Sequence, residues 1–248
     1  MTEAARAKLV EIFSSLQGEG TRVGERMSFV RFEACDLKCR WCDTPESFSP
    51  HAKFRVEEVP FSGEWREYSN PVSGKEIEKW LSLFSDTWVS LTGGEPLQQV
   101  EFLEEWLPSA SKKSDFLLET NGVLPEALRR VLPYVRLVSM DMKLPSSAKT
   151  GEFWKEHEEF LRIAVKAPEC SVKLVVTEET LEEEFERALN LVKKVEETIP
   201  VILQPASATK SFKGGLSLSR LGRFSEIARS ALKGVRVIPQ THKMLGVS

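Results

Sequence analysis

RFEACDLKCRWCDT, residues 31–44, is the stretch on which the reading of this chain turns. Cys35, Cys39 and Cys42 stand in it at the spacing C-x3-C-x2-C, and the fourth cysteine, Cys170, lies far away. In a reducing compartment clustered thiols are metal ligands or redox groups before they are disulfides. Thiolates are soft donors that select iron–sulfur clusters or zinc. A structural zinc site closes four ligands and usually brings its cysteines in pairs. Three thiols with no fourth Cys or His nearby suit a 4Fe–4S cubane with one iron left open to a ligand. A zinc knot completed by Cys170 or His242 stands as the alternative.

Working outward, SFVRFE (28–33) reads as a strand that runs into the first cysteine. From residue 73 a regular alternation begins. Ser73, with Glu76 three residues on, caps a helix over 75–84. Strands follow at 88–92, 116–120, 135–141, 172–176, 200–205 and 235–239. Helices follow at 97–107, 125–132, 151–165, 177–197 and 218–232. The helix over 177–197 has its apolar face at Leu181, Phe185, Ala188 and Leu191. The strands are rich in Val, Leu and Ile and lack strict alternation, as a helix-covered parallel sheet requires. Right-handed crossovers leave an α/β barrel or an open doubly wound sheet, and seven strands fall one short of a full eight-stranded barrel. Residues 44–72 read as an irregular insertion, and the whole of 1–248 as a single domain.

A net charge of −3 over 248 residues argues against a nucleic-acid binder, which shows a basic stripe, and for a small-molecule substrate. An apolar fraction of 41% is ample for a core. The first twenty residues lack the apolar region and cleavage site of a signal peptide. No apolar run is long enough to span a membrane. The expectation is a cytoplasmic protein that binds neither membrane nor nucleic acid.

LTGGEP (91–96) ends the second strand. Paired glycines let the backbone approach a ligand, at the strand ends where parallel sheets carry their sites. A plain turn with Pro96 opening a helix is the competing account. ETNG (119–122) and SMDMK (139–143) bring Glu119, Ser139, Asp141 and Lys143 to two further strand ends.

The cysteine stretch, with Trp41 just before its third cysteine, resembles the motif of the radical S-adenosylmethionine superfamily. There the open iron chelates S-adenosylmethionine, whose one-electron cleavage yields a hydrogen-abstracting 5'-deoxyadenosyl radical. EIFSSLQGEG (11–20), Gly24, FVR (29–31), the Asp43–Thr44 pair, VKLVVT (172–177), LQP (203–205) and PQTHK (239–243) narrow the likeness. Together they resemble the 7-carboxy-7-deazaguanine synthase family, which contracts 6-carboxy-5,6,7,8-tetrahydropterin with loss of ammonia on the way to queuosine and other 7-deazapurines.

That resemblance implies a carbon–nitrogen lyase with a shortened parallel barrel, helices outside. It implies a 4Fe–4S cluster on Cys35, Cys39 and Cys42, and S-adenosylmethionine against Trp41, Cys42, Asp43, Gly94, Glu119, Ser139, Asp141 and Lys143. It further implies Mg2+ on Thr44, and the pterin against Leu16, Gln17, Gly18, Glu19, Arg31 and Thr92, with Gln204 and His242 as further candidates. A homodimer and an external electron donor of flavodoxin or ferredoxin type are also implied. The family commonly has Gly and Asn where Ala34 and Asp36 flank the first cysteine, and many members have Pro where Arg26 stands. A glycyl-radical activating enzyme and a non-catalytic metal-binding protein are the alternatives. The first lacks the LQGEG stretch, and the second has no use for LTGGEP.

Overall fold

The computed structural model describes residues 5–247. The N-terminal part runs β1 (Arg6–Ala7), β2 (Leu9–Leu16), β3 (Arg26–Phe32), β4 (Lys53–Val56), β5 (Arg66–Ser69) and β6 (Val72–Ser73). Then come α1 (Gly74–Leu81), β7 (Trp88–Gly93), α2 (Val100–Ala110), β8 (Asp115–Thr120), α3 (Pro125–Val131) and β9 (Leu137–Asp141). The chain closes with α4 (Pro145–Ala148), α5 (Trp154–Ala164), β10 (Glu169–Val176), α6 (Glu182–Glu196), β11 (Val201–Pro205), α7 (Leu218–Ala231), β12 (Val235–Val237) and α8 (Thr241–Leu245).

Ten strands form one sheet in the order β12-β11-β10-β9-β8-β7-β3-β2-β4-β5. From β3 to β12 every neighbouring pair is parallel. These are the seven strands expected from the sequence, and the sheet does not close on itself, so the barrel is incomplete. Parallel pairing needs a crossover between strands, and the helices provide it while burying the sheet's apolar side chains. Phe116, Phe160, Phe185 and Phe224 are fully buried, and the Phe185 and Phe224 rings, 4.8 Å apart, join α6 to α7.

The structure revises three of the expectations. EIFSSL, read only as part of a motif, belongs to β2, which is buried along nearly its whole length and antiparallel to β3. The stretch 44–72 is not wholly irregular: β4 and β5 form an antiparallel hairpin that extends the sheet beyond β2. Only Phe54 and Val56 alternate inward along β4, too short a pattern to read as a strand. The helix expected over 177–197 starts at Glu182, because Thr177 and Thr180 close a turn first: the Thr177 backbone N–H donates to Thr180 Oγ1 at 2.8 Å. Leu181 is therefore a half-exposed cap residue, and the buried face is Phe185, Ala188, Leu189, Leu191 and Val192.

The cap read at Ser73 is present as a full capping box with Glu76. Ala34 carries the turn from β3 into the cysteine stretch at φ 75°. A Cβ is strained in that left-handed region, and glycine is not. Relief of that strain exceeds the entropy that glycine adds to the unfolded chain, so Ala34→Gly is expected to stabilise the fold by roughly 0.5–1 kcal/mol. The gain should show as a higher urea midpoint at unchanged slope; a lower midpoint would mean that the Ala34 methyl packs better than its backbone strains.

Candidate active site

Because β3 and β7–β12 are parallel, their C-terminal ends share one edge of the sheet, and a cavity of about 380 Å³ opens there. Cys35, Cys39 and Cys42 line it from the loop after β3, with Trp41, Asp43 and Thr44 beside them. Leu16, Gln17, Gly18 and Glu19 line it from the end of β2, and Arg31 and Thr92 from β3 and β7. Gly94, Glu119, Ser139, Asp141, Lys143, Gln204 and His242 complete the candidates that the sequence offered, and all of them line the same cavity.

The cysteine loop and the double-glycine loop lie in direct backbone contact. Gly94 N donates to Phe32 O at 3.0 Å, and Glu95 N donates to Ala34 O at 2.7 Å. A Cβ on Gly94 would meet Ala34 O at 1.9 Å, so the close approach itself demands glycine there. Glu95 is fully buried and accepts from Thr120 Oγ1 at 2.9 Å, from Asn121 N at 2.7 Å and from Leu97 N at 3.1 Å. Asn121 in turn donates its side-chain amide to Asp36 in the cysteine loop at 2.7 Å. His157 backs this loop, 3.2 Å from the Asn121 carbonyl; burial pulls its ring down to about 4, so the neutral ring donates through Nε2.

Opposite charges alternate across the cavity floor. Lys173 on β10 bridges Glu19 and Asp141, and Lys143 lies 2.9 Å from Asp141 and 4.5 Å from the centre of the Trp41 ring. Burial pulls the Lys173 ammonium down, but Asp141, Glu19 and Glu119 raise it well above the ordinary lysine value. Glu119 accepts from Gln17 at 3.1 Å and from Ser90 at 2.7 Å. The chain's C-terminal part closes one wall. Gln240 donates to Glu19 at 2.6 Å and to Asp43 at 2.7 Å, and Lys243 lies 3.3 Å from Asp43. His242 fills the space above Gly18, where a Cβ would lie 1.9 Å from its ring nitrogen.

The donors fit an iron–sulfur cluster better than one zinc ion. Tetrahedral zinc with thiolates brings sulfurs to about 3.8 Å of one another. Among the described residues the only three donor side chains gathered within 4.8 Å are Glu19, Asp43 and His242, so the three sulfurs are spread wider than one zinc would hold them. Cys170 on β10 does not line the cavity. Burial disfavours the thiolates, pushing Cys35 up to about 12 and raising Cys39 and Cys42. A bound metal reverses that by deprotonating a thiol outright. Two shielded acceptors on the cavity wall, Gln204 Oε1 and Asp141 Oδ1, have no partner within the protein. An orphaned acceptor costs about 1–3 kcal/mol, so donors from a small polar ligand fit there.

Sequence reasoning did not single out Glu95, Asn121, Lys173, Gln240 or Lys243. Lys173 carried a legible signal: it is the one charge in an otherwise apolar strand, VKLVV. Glu11, alone among the apolar residues LVEIF, carried the same signal.

A family model described as "Radical SAM superfamily" matches residues 29–192. The 7-carboxy-7-deazaguanine synthase of Geobacter sulfurreducens is 37% identical over 246 residues, 97% of each chain. That of Thermococcus kodakarensis is 36% identical over 98% of this chain and 99% of its own. Among solved structures, QueE from Escherichia coli superposes with TM-score 0.63 at 20% identity, over 95% of this chain and 94% of that one. SuiB of Streptococcus suis bound to S-adenosylmethionine gives 0.54 at 16% identity, over 85% of this chain and 51% of that one. The two likenesses of structure bear on the fold alone.

Glu95 gives the site a pH dependence of stability. Burial pushes its carboxyl up from 4.5 to about 7 against its three donors. Between those values the unfolded chain ionises while the folded one keeps its proton, so stability falls as pH rises and levels off above about 7. A tenfold difference in proton affinity between the two states is worth about 1.4 kcal/mol. The stability of the wild type relative to Glu95→Gln, from urea unfolding, is therefore expected to drop by a few kcal/mol from pH 5 to pH 8. A pH-independent difference would mean that the carboxylate is ionised throughout.

Proposed function

The chain belongs to the radical S-adenosylmethionine superfamily and, within it, to the 7-carboxy-7-deazaguanine synthases, and from that premise we propose how its own residues carry the ring contraction. The activity is the one its relatives are named for: a lyase that makes 7-carboxy-7-deazaguanine. The substrate is 6-carboxy-5,6,7,8-tetrahydropterin, which loses ammonia. Neither an activating enzyme nor a non-catalytic metal protein accounts for those relatives.

Cys35, Cys39 and Cys42 hold the 4Fe–4S cluster. S-adenosylmethionine lies against Trp41, Cys42, Asp43, Gly94, Glu119, Ser139, Asp141 and Lys143. When bound, the cluster and S-adenosylmethionine supply hydrogen-atom abstraction. The chain's residues supply position, since a carbon radical gains its selectivity from how its neighbour is held. Gln17 and Glu19 hold the polar pterin edge, with Leu16, Gly18 and Thr92 shaping the pocket. Arg31 takes the carboxylate, for which the planar guanidinium fork is suited. Thr44 offers its hydroxyl to Mg2+, a cation that prefers oxygen ligands and keeps waters. Gln204 and His242 add contacts at the far wall.

One observation carries this reading: residues separated by more than 220 positions, all offered by the sequence, line one cavity beside the three cysteines. No helix among the described residues is long and apolar enough to cross a membrane. A single domain, a cytoplasmic location, a homodimer and a flavodoxin- or ferredoxin-type electron donor complete the proposal; residues 1–4 and Ser248 lie outside the described ones.

Anaerobically purified protein is expected to hold about four iron and four sulfide per chain. Zinc without iron would end the reading. Reduced protein given substrate deuterated at C6 should form 7-carboxy-7-deazaguanine and transfer deuterium to S-adenosylmethionine. Arg31→Ala should weaken substrate binding by roughly 2–5 kcal/mol, the usual loss when one partner of a buried charge pair is removed. Arg31→Lys should recover part of it, and an unchanged Kd in Arg31→Ala would retire the role given to Arg31.

A further inference from the structure

Arg31 does not stand alone. β2 lies between β3 and β4, and the strand register sets Glu11 opposite Arg31 on one side and opposite Arg55 on the other. All three side chains line the cavity, so they form a row across three strands on its wall. Glu11 is buried, and its two oxygens are divided: Oε1 accepts from Arg31 Nε at 2.8 Å, and Oε2 accepts from Arg55 Nε at 2.8 Å. The Arg55 terminal nitrogen lies 2.6 Å from the same Oε2. Two residues along β2 and β3 a second row backs the first. The Phe13 and Phe29 rings stack at 4.9 Å, Trp65 meets Phe13 edge-on at 5.9 Å, and the Arg55 guanidinium lies 4.3 Å over Trp65.

A carboxylate can grip an arginine sideways, through Nε and one terminal nitrogen, or accept a single bond from Nε. Glu11 makes the single bond, because Arg55 holds its other oxygen. The two terminal nitrogens of Arg31 make no hydrogen bond to the protein among the described residues, and they form the fork that takes a ligand carboxylate bidentately. We propose that Glu11 and Arg55 are positioning residues that present the Arg31 fork to the carboxylate of the ligand. The β4–β5 hairpin, which supplies Arg55, thereby takes part in substrate selectivity. This rests on the reading that Arg31 receives the substrate's carboxylate.

The test uses the reconstituted holoprotein with S-adenosylmethionine and no reductant, so that binding is read without turnover. Kd is measured for 6-carboxy-5,6,7,8-tetrahydropterin and for tetrahydropterin without the carboxylate. The wild type should favour the carboxylated ligand, and Arg31→Ala should abolish that preference. Arg55→Ala should lower the preference about tenfold, within the range for residues sharing one ion-pair network. It should leave the Kd of the uncarboxylated ligand unchanged and add nothing in the Arg31→Ala background. Arg55 is half exposed, which favours folding of the variant. Should Arg55→Ala fail to fold, Arg55→Lys is judged by the same criteria, with a smaller loss. Equal weakening of both ligands, or an unchanged preference, would overturn the proposal while sparing the role of Arg31. A wild type indifferent to the carboxylate would overturn both.

Discussion

The close approach of two loops, locked by one buried carboxylate, is the constraint on which the site depends. Parallel strands deliver their C-terminal ends to one edge but leave the loops there without regular hydrogen bonding. Glu95 supplies what the sheet does not. Its backbone ties the glycine loop to the cysteine loop, and its side chain holds the ends of β7 and β8 through Leu97, Thr120 and Asn121. Asn121 then reaches back to Asp36, so three successive strand ends form one closed hydrogen-bonded circuit. Buried polar groups are costly unless partnered, and a circuit in which each group satisfies the next is the arrangement that makes a buried carboxylate tolerable.

The rest of the cavity follows the same rule with charges. Glu19, Lys173, Asp141 and Lys143 alternate in sign, as do Arg31, Glu11 and Arg55. Buried pairs such as Lys173 with Glu19 and Asp141 add little net stability, since desolvation offsets attraction, but removing one partner costs roughly 3–5 kcal/mol; Arg55 is half exposed, and water screens its share of the row. Their consequence here is geometric. Each charge is held by a neighbour on an adjacent strand or loop, so side chains that face a ligand are oriented before it arrives. The unpartnered acceptors of Gln204 and Asp141 stand out against that background.

What the sequence reveals of this follows from distance along the chain. The cysteines fall within eight residues and the glycine loop within six, so local spacing exposes both. The seven parallel strands are legible because strands buried on both faces are continuous apolar runs. β2 is buried in the same way, yet Glu11 and a pair of serines break its apolar run. The β4–β5 hairpin carries only four residues in each strand. The reach of Gln240 to Glu19, across 221 residues, has no local signature at all.

The same division of distance separates the two halves of the site. The thiols belong to one short loop after β3, whose shape is set by neighbours at the ends of β3, β7 and β8. A further stretch of wall is made by the end of β2 and the segment after β12, far apart along the chain, joined where Gln240, Thr241 and His242 meet Gly18 and Glu19, and tied to the cysteine loop where Gln240 donates to Asp43. Gly18 is therefore constrained by the ring of His242 above it, which leaves no room for a Cβ. Glycine in LQGEG serves closure of the wall, while glycine in LTGGEP serves contact between two loops. Motifs of similar composition thus answer to different packing demands, and it is those demands, met along one cavity, that give the site its shape.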